Sequence, residues 1–185
     1  MALSIPEHVG EWTVDDLDQF PESHLRIELH DGSLVVSPQP SVHHQLIASR
    51  LIRQIAPQLE HHLDVVATAD LELGRTSMRA PDVIVISTSA VEARQKRLYP
   101  ADVMLAVEIV SPGSRATDRL IKPAEYAAAG IPGYWRFELE PELRMFASRL
   151  DGGTYAEIGS WERGEIATLI DPLPVTIDVS TLDAV

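Results

Sequence analysis

The chain has 185 residues, 45% of them hydrophobic, a net charge of −13 and no cysteine. That length and apolar content suit one packed domain over residues 1–185 and exclude a disordered chain. Without cysteine, disulfides and thiolate zinc sites are excluded, and a cytoplasmic location is expected. MALSIPEHVGEWT has neither the basic nor the apolar region of a signal peptide, and no apolar run approaches the ~20 residues of a membrane helix, so no membrane association is expected. Taken alone, the acidic charge argues against nucleic-acid binding. It is unevenly spread: residues 51–150 hold 13 acids and 12 bases, whereas residues 1–50 hold 8 and 2, and residues 151–185 hold 7 and 1.

In chain order, Thr13 reads as the N-cap of a short helix, VDDLDQF, with Asp16 at the third helical position. RIELHDGSLVVSP reads as a β-hairpin turning at His30-Asp31-Gly32, because Asp-Gly supplies the positive φ angles that a tight hairpin turn needs. Residues 41–60 carry apolar side chains at helical spacing, with Ser41 as a cap and Pro57 bending or ending the helix. DVVATADLEL (64–73) reads as one strand ending at Gly74. DVIVIS (82–87) and VMLAVEIV (103–110) read as buried central strands. Residues 117–129 form a helix stopped by Gly130, GYWRFEL is a further strand, and the remainder is a small antiparallel meander. The class is α/β or α+β.

Glu108 breaks the apolar pattern of its strand. A carboxylate on a buried strand costs several kcal/mol unless it is paired or binds metal. The plainer alternative is a Glu near the strand end that reaches water or an arginine. Asp82 opens the neighbouring strand after Pro81, where ordinary strand initiation is the plainer reading. If the two strands pair antiparallel in full register, residue 87 faces 103 and residue 82 faces 108. Two carboxylates would then stand on one face, Cβ atoms about 5 Å apart. Either one holds a proton or a cation lies between them, and Mg²⁺ favours one or two carboxylates with water and phosphate oxygens.

Lys122 is one of two lysines in the chain. With Asp118 and Tyr126 it falls on one helical face by its i, i+4, i+8 spacing. It can stand beside the carboxylates, or simply pair with Asp118 in solvent. Secondary candidates are His43 (or its neighbour His44), Arg115 and Arg119 as phosphate contacts, although an exposed arginine or a cap-region histidine needs no function. No phosphate-loop pattern is present.

RAPDVIVI, VEIVSPGSRATD and IKPAEYAAAGIPGYW, in that order, resemble the Uma-type family of restriction-endonuclease-like proteins within the PD-(D/E)XK nuclease superfamily. RIELHDGSLVVSPQPSVHHQ resembles the N-terminal signature of the same family. The resemblance covers nearly the whole chain. It implies a mixed central sheet flanked by helices, extended here by an antiparallel C-terminal meander. It implies Mg²⁺ (or Mn²⁺) held by Asp82, Glu108 and the carbonyl of Ile109, with Glu28 close by; Tyr126, on the helical face of Lys122, is a weaker candidate substrate contact. The superfamily pattern would place a lysine at position 110, where Val110 stands; the resemblance points instead to Lys122, followed by Pro123, which is expected to kink its helix. The implied activity is metal-dependent endonucleolytic hydrolysis of DNA. The alternative is a nuclease-fold protein that binds or regulates without cutting. A homodimer is expected, because cutting two strands calls for two sites related by C₂ symmetry.

Overall fold

The computed structural model describes residues 7–20 and 25–183; residues 1–6 of the stretch examined for a signal peptide lie outside them. Thr13 caps α1 (Val14–Leu17) through a reciprocal capping box with Asp16. The helix stops at Leu17, three residues short of the expected end. β1 (Arg26–His30) and β2 (Ser33–Ser37) form the hairpin, in register from Arg26 opposite Ser37 to His30 opposite Ser33. Asp31 and Gly32 both have positive φ, 44° and 72°, the type I′ signature. A Cβ at Gly32 would lie 2.6 Å from Glu11 Cβ, so the turn also needs glycine for space.

α2 (Val42–Ile55) starts at Ser41, whose hydroxyl accepts from His44 N, and a 3₁₀ turn containing Pro57 ends it. The expected single strand 64–73 is in fact two. β3 (Leu63–Ala67) and β4 (Leu71–Gly74) belong to different sheets. At the break the Asp70 carbonyl accepts from Leu98 N, and Glu72 N donates to Leu98 O. These groups find partners in a distant loop, so the chain can leave one sheet for another without burying unpaired amides.

β5 (Ser77–Arg79) completes a four-stranded sheet of order β2-β1-β5-β4. β6 (Val83–Ser87) leads through α3 (Thr88–Glu92) to β7 (Val103–Val110). A π-helical turn (Thr117–Ile121) and α4 (Lys122–Ala128) then cross to β8 (Gly133–Glu138), which lies parallel to β7. β9 (Arg144–Asp151) and β10 (Thr154–Glu162) continue the main sheet, of order β10-β9-β8-β7-β6-β3. The C-terminal meander is thus divided. Its first two strands join the main sheet, while β11 (Ile166–Thr168) and β12 (Thr176–Asp178) form a separate ribbon before α5 (Val179–Leu182).

The main sheet is buried on both faces. Val83, Val85, Leu105, Val107 and Ile109 pack toward Ile47, Leu51 and Ile55 of α2. Ile84, Ile86 and Ala106 pack toward Tyr126 of α4 and Tyr134. This two-sided burial explains why β6 and β7 read as continuous apolar runs. Glu108 lies two residues beyond Ala106, on the α4 face, because successive strand side chains alternate.

The β6–β7 register decides the site. Val83 faces Val107, Ile84 faces Ala106 and Val85 faces Leu105, as full pairing requires. A shift then sets Ile86 opposite Val103. The expected pairing therefore holds at the end that carries Asp82 and fails at the other, where a bulge takes up the extra residue.

Candidate active site

The register brings Asp82 to Glu108. Asp82 N donates to the Val107 carbonyl at 2.9 Å, continuing the ladder past the end of β6. Its Oδ2 accepts from Ile109 N at 2.7 Å. The two residues flanking Glu108 thus fix Asp82 through its main chain and its side chain.

Glu108 is 1% exposed. Its Oε2 accepts from Lys122 Nζ at 2.8 Å and its Oε1 from the Tyr126 hydroxyl at 2.7 Å. Lys122 also stands 3.1 Å from Asp118 and 3.6 Å from Glu28. The Asp118–Lys122 pair exists, but it is buried rather than solvated. Pro123 does not disturb it. The π-helical turn precedes Lys122, so Pro123 falls in the first turn of α4, where a missing N–H costs little. Such π turns are frequent at functional sites.

Glu28, from β1, accepts from Ala80 N at 3.0 Å. Arg26, two residues earlier and so on the same side of the strand, spans the cluster. It lies 2.7 Å from Asp82, 3.1 Å from Glu28 and 3.9 Å from Glu108. From the opposite face, His44 Nε2 approaches the Ile109 carbonyl at 2.9 Å and Asp82 Oδ2 at 3.2 Å. Behind these groups Arg79 is 1% exposed and clamps Glu125 of α4 at 2.6 and 2.7 Å, with His30 alongside.

Five carboxylates (Glu28, Asp82, Glu108, Asp118 and Glu125) thus share three permanent cations (Arg26, Arg79 and Lys122). The proton affinities of Glu108 and Asp82 move in opposite directions. Burial pushes Glu108 up to about 8, against the pull of Lys122 and with the help of Asp82 and Asp118. Burial also acts to raise Asp82, but His44 and Arg26 outweigh it and hold Asp82 below the usual carboxylate range. Burial opposes the charge on Lys122, yet Glu108, Glu28 and Asp118 keep its ammonium protonated. The pair therefore differs in kind: Asp82 is a held anion, and Glu108 is a carboxylate that burial drives toward its neutral form.

Arg26, Glu28, Asp82, Glu108, Asp118 and Lys122 line a cleft of ≈ 790 Å³ walled by segments 38–41 and 111–114. A second cleft, ≈ 840 Å³, lies on the far side of Arg26, His44 and Asp82, which line both. Asp82, Glu108, Lys122 and Glu28 are therefore brought together. His43 points away, 2.5 Å from Asp183, at the rim of the first cleft. Arg115 pairs with Glu140 at that rim, and Arg119 is turned to Glu138 at 2.8 Å. Tyr126 is fully buried, so it acts on Glu108 and has no surface to offer a substrate, contrary to its reading as a substrate contact.

Sequence reasoning missed Arg26 and Arg79 and weighed His44 only as one of a pair. The alternation Arg26–Glu28 marked Arg26 as a neighbour of Glu28. Nothing local placed it against Asp82, 56 residues away.

Among the described residues no three His, Cys, Asp or Glu groups are gathered as a metal cage. The chemistry of the donors nevertheless suits a hard divalent ion: two carboxylates and a carbonyl whose oxygen has a lone pair to spare beside His44. Arg26 sits 2.7 Å from Asp82 Oδ1, one of the oxygens such an ion would use.

A mixed sheet with helices on both faces and a buried acid pair at the floor of a cleft defines a nuclease-like α+β protein. A crystal structure described as "a putative nuclease belonging to DUF820", from Anabaena variabilis ATCC 29413, matches with a TM-score of 0.71 over 92% of this chain and 97% of that one; the two are 16% identical. That likeness shows the fold. The sequence matches the Uma2 family model, described as "Putative restriction endonuclease", over residues 14–181, and the chain belongs to that family. Comparison with curated proteins finds no match.

Proposed function

We propose that the protein is an endonuclease that hydrolyses phosphodiester bonds of DNA with Mg²⁺ or Mn²⁺ held by Asp82, Glu108 and the Ile109 carbonyl. The observation that carries this reading is the juxtaposition of two buried carboxylates with the Lys122 ammonium at the floor of an open cleft. A bound divalent ion would polarise a phosphoryl oxygen and lower the pKa of a coordinated water. The protein's own groups do the rest. Asp82, fixed by Ile109 N and His44, offers a permanent negative charge. Lys122 lines the cleft and stabilises negative charge developing on the phosphoryl oxygens. Tyr126 and Glu28 hold Glu108 and Lys122 in place. Water loses a proton to solvent as its oxygen adds to phosphorus and the bond from phosphorus to the sugar oxygen breaks, and the leaving sugar oxygen takes up a proton from solvent.

Plasmid cleavage with Mg²⁺ or Mn²⁺ tests the proposal. Wild type is expected to nick DNA, Asp82→Ala and Glu108→Gln to abolish nicking, and Lys122→Met to slow it by about 10²-fold or more. Equal trace activity in wild type and Asp82→Ala would overturn the reading.

A second reading is favoured by one observation: Arg26 and Lys122 already neutralise the acid pair. On this reading the protein keeps the nuclease fold for binding or regulation without cutting. Cleavage lost in Glu108→Gln excludes it.

A further inference from the structure

We infer that Arg26 is the built-in counter-ion of the metal site, a guanidinium that holds the acid cluster together until a divalent cation displaces it. The inference rests on the proposed metal site and concerns how this chain's own residues set its affinity.

The position of Arg26 carries the inference. Among the described residues its guanidinium is the one cation in contact with Asp82, Glu28 and Glu108 together, at 2.7, 3.1 and 3.9 Å. A metal held by Asp82 and Glu108 would need the same carboxylate oxygens. The two oxygens of Asp82 have different partners. Oδ2 is pinned by Ile109 N and His44, whereas Oδ1 takes Arg26. Removing Arg26 frees Oδ1 without loosening the carboxylate.

Of the three cations in the cluster, Arg26 is also the one able to leave. Arg79, paired with Glu125 of α4, and Lys122, at the start of α4, have side chains 1% and 5% exposed, while the Arg26 side chain is 19% exposed. Arg79 places its Nε on Glu125. Arg26 Nε is buried without a hydrogen-bond partner among the described residues, so its seating is incomplete. Arg26 also stands at the wall between the two clefts, with open space on both sides to receive the side chain.

Exchange of a monovalent for a divalent cation suits the charge of the cluster, in which, once Glu108 gives up its proton to a metal, carboxylates outnumber permanent cations by two. A metal must then bind the fraction of molecules in which Arg26 has withdrawn, and its apparent affinity is reduced by that fraction.

The test is calorimetric titration of MnCl₂ into the metal-free full chain, with folding checked by circular dichroism. Arg26→Met is expected to bind Mn²⁺ about tenfold more tightly than wild type or better, and the gain is expected to vanish in Arg26→Met/Asp82→Asn. Arg26→Gln, which keeps a polar side chain but no charge, is expected to behave as Arg26→Met and serves if the latter misfolds. In a melting experiment, Mn²⁺ is expected to raise the Tm of the neutral variants more than that of wild type. If wild type binds Mn²⁺ through Asp82 and the neutral variants bind no more tightly, the counter-ion role is overturned while the metal site stands. If none of the proteins binds Mn²⁺, both fall.

Discussion

Glu108 and Asp82 occupy neighbouring positions but respond oppositely to pH. Glu108 has its proton affinity raised to about 8 by burial, with Lys122 opposing and Asp82 and Asp118 adding. Between the ordinary glutamate range and about pH 8, the folded state therefore binds a proton that the unfolded state has lost. Its stabilising contribution is full below the unfolded value and is lost as pH rises through the folded one. His44 acts in the same sense: burial lowers its proton affinity, but Asp82 more than compensates. Asp82 and Glu28 are held low, so their contribution is present above the ordinary carboxylate range and is lost as pH falls. The metal-free protein is thus expected to lose stability from about pH 5 to 8, read as a falling urea midpoint, and Glu108→Gln is expected to flatten that slope. An unchanged slope would show that Glu108 is ionised throughout. Metal binding to Glu108 must expel the same proton, so Mn²⁺ affinity is expected to rise over this window, with protons released in the titration.

At the scale of elements, the site is a junction of four, with His44 of α2 beside them. The β6–β7 pair supplies the carboxylates, β1 supplies Glu28 and Arg26, and α4 supplies Lys122 and Tyr126. Helix α4 is tied to β5 through Arg79 and Glu125, in a pair whose arginine is sealed from solvent. Breaking such a pair leaves a carboxylate without its partner. Arg79→Met is expected to cost about 3 kcal/mol of stability and to lower cleavage by loosening the aim of Lys122, checked by urea denaturation and plasmid nicking on the same preparation. Stability within experimental error of wild type would show that the clamp does not hold the helix. Much of this level was legible in the sequence because the signals are local. Asp31-Gly32 marks the hairpin turn, Ser41 marks the start of α2, and the apolar runs of β6 and β7 place 82 opposite 108 on the assumption of full antiparallel register. The division of 64–73 into β3 and β4 was not legible, because it depends on hydrogen bonds to Leu98. The bulge between Val85 and Ile86 left no trace in a uniformly apolar run. Arg26 was missed for the same physical reason: its partners come from other elements, and only the assembled sheets bring them within reach.

For the whole molecule, the acidic charge and the nuclease fold are reconciled by where the charges lie. The central hundred residues are nearly neutral, and the excess acid belongs to the two ends of the chain. The site itself remains anionic, which suits it to a divalent cation before it meets a phosphate. On the proposed reading, both features would place the burden of substrate attraction on the metal rather than on a basic surface. The fold was legible because nearly the whole chain follows one family pattern, whereas the occupancy of the acid pair by Arg26 depends on tertiary contacts that no short motif encodes. The most direct test of the metal between Asp82 and Glu108 is a crystal soaked in MnCl₂ and measured for anomalous scattering. The expected result is a single peak bridging the two carboxylates and the Ile109 carbonyl, with Arg26 withdrawn from Asp82. Arg26 still seated on Asp82 at saturating Mn²⁺, with no peak at the acid pair, would contradict it.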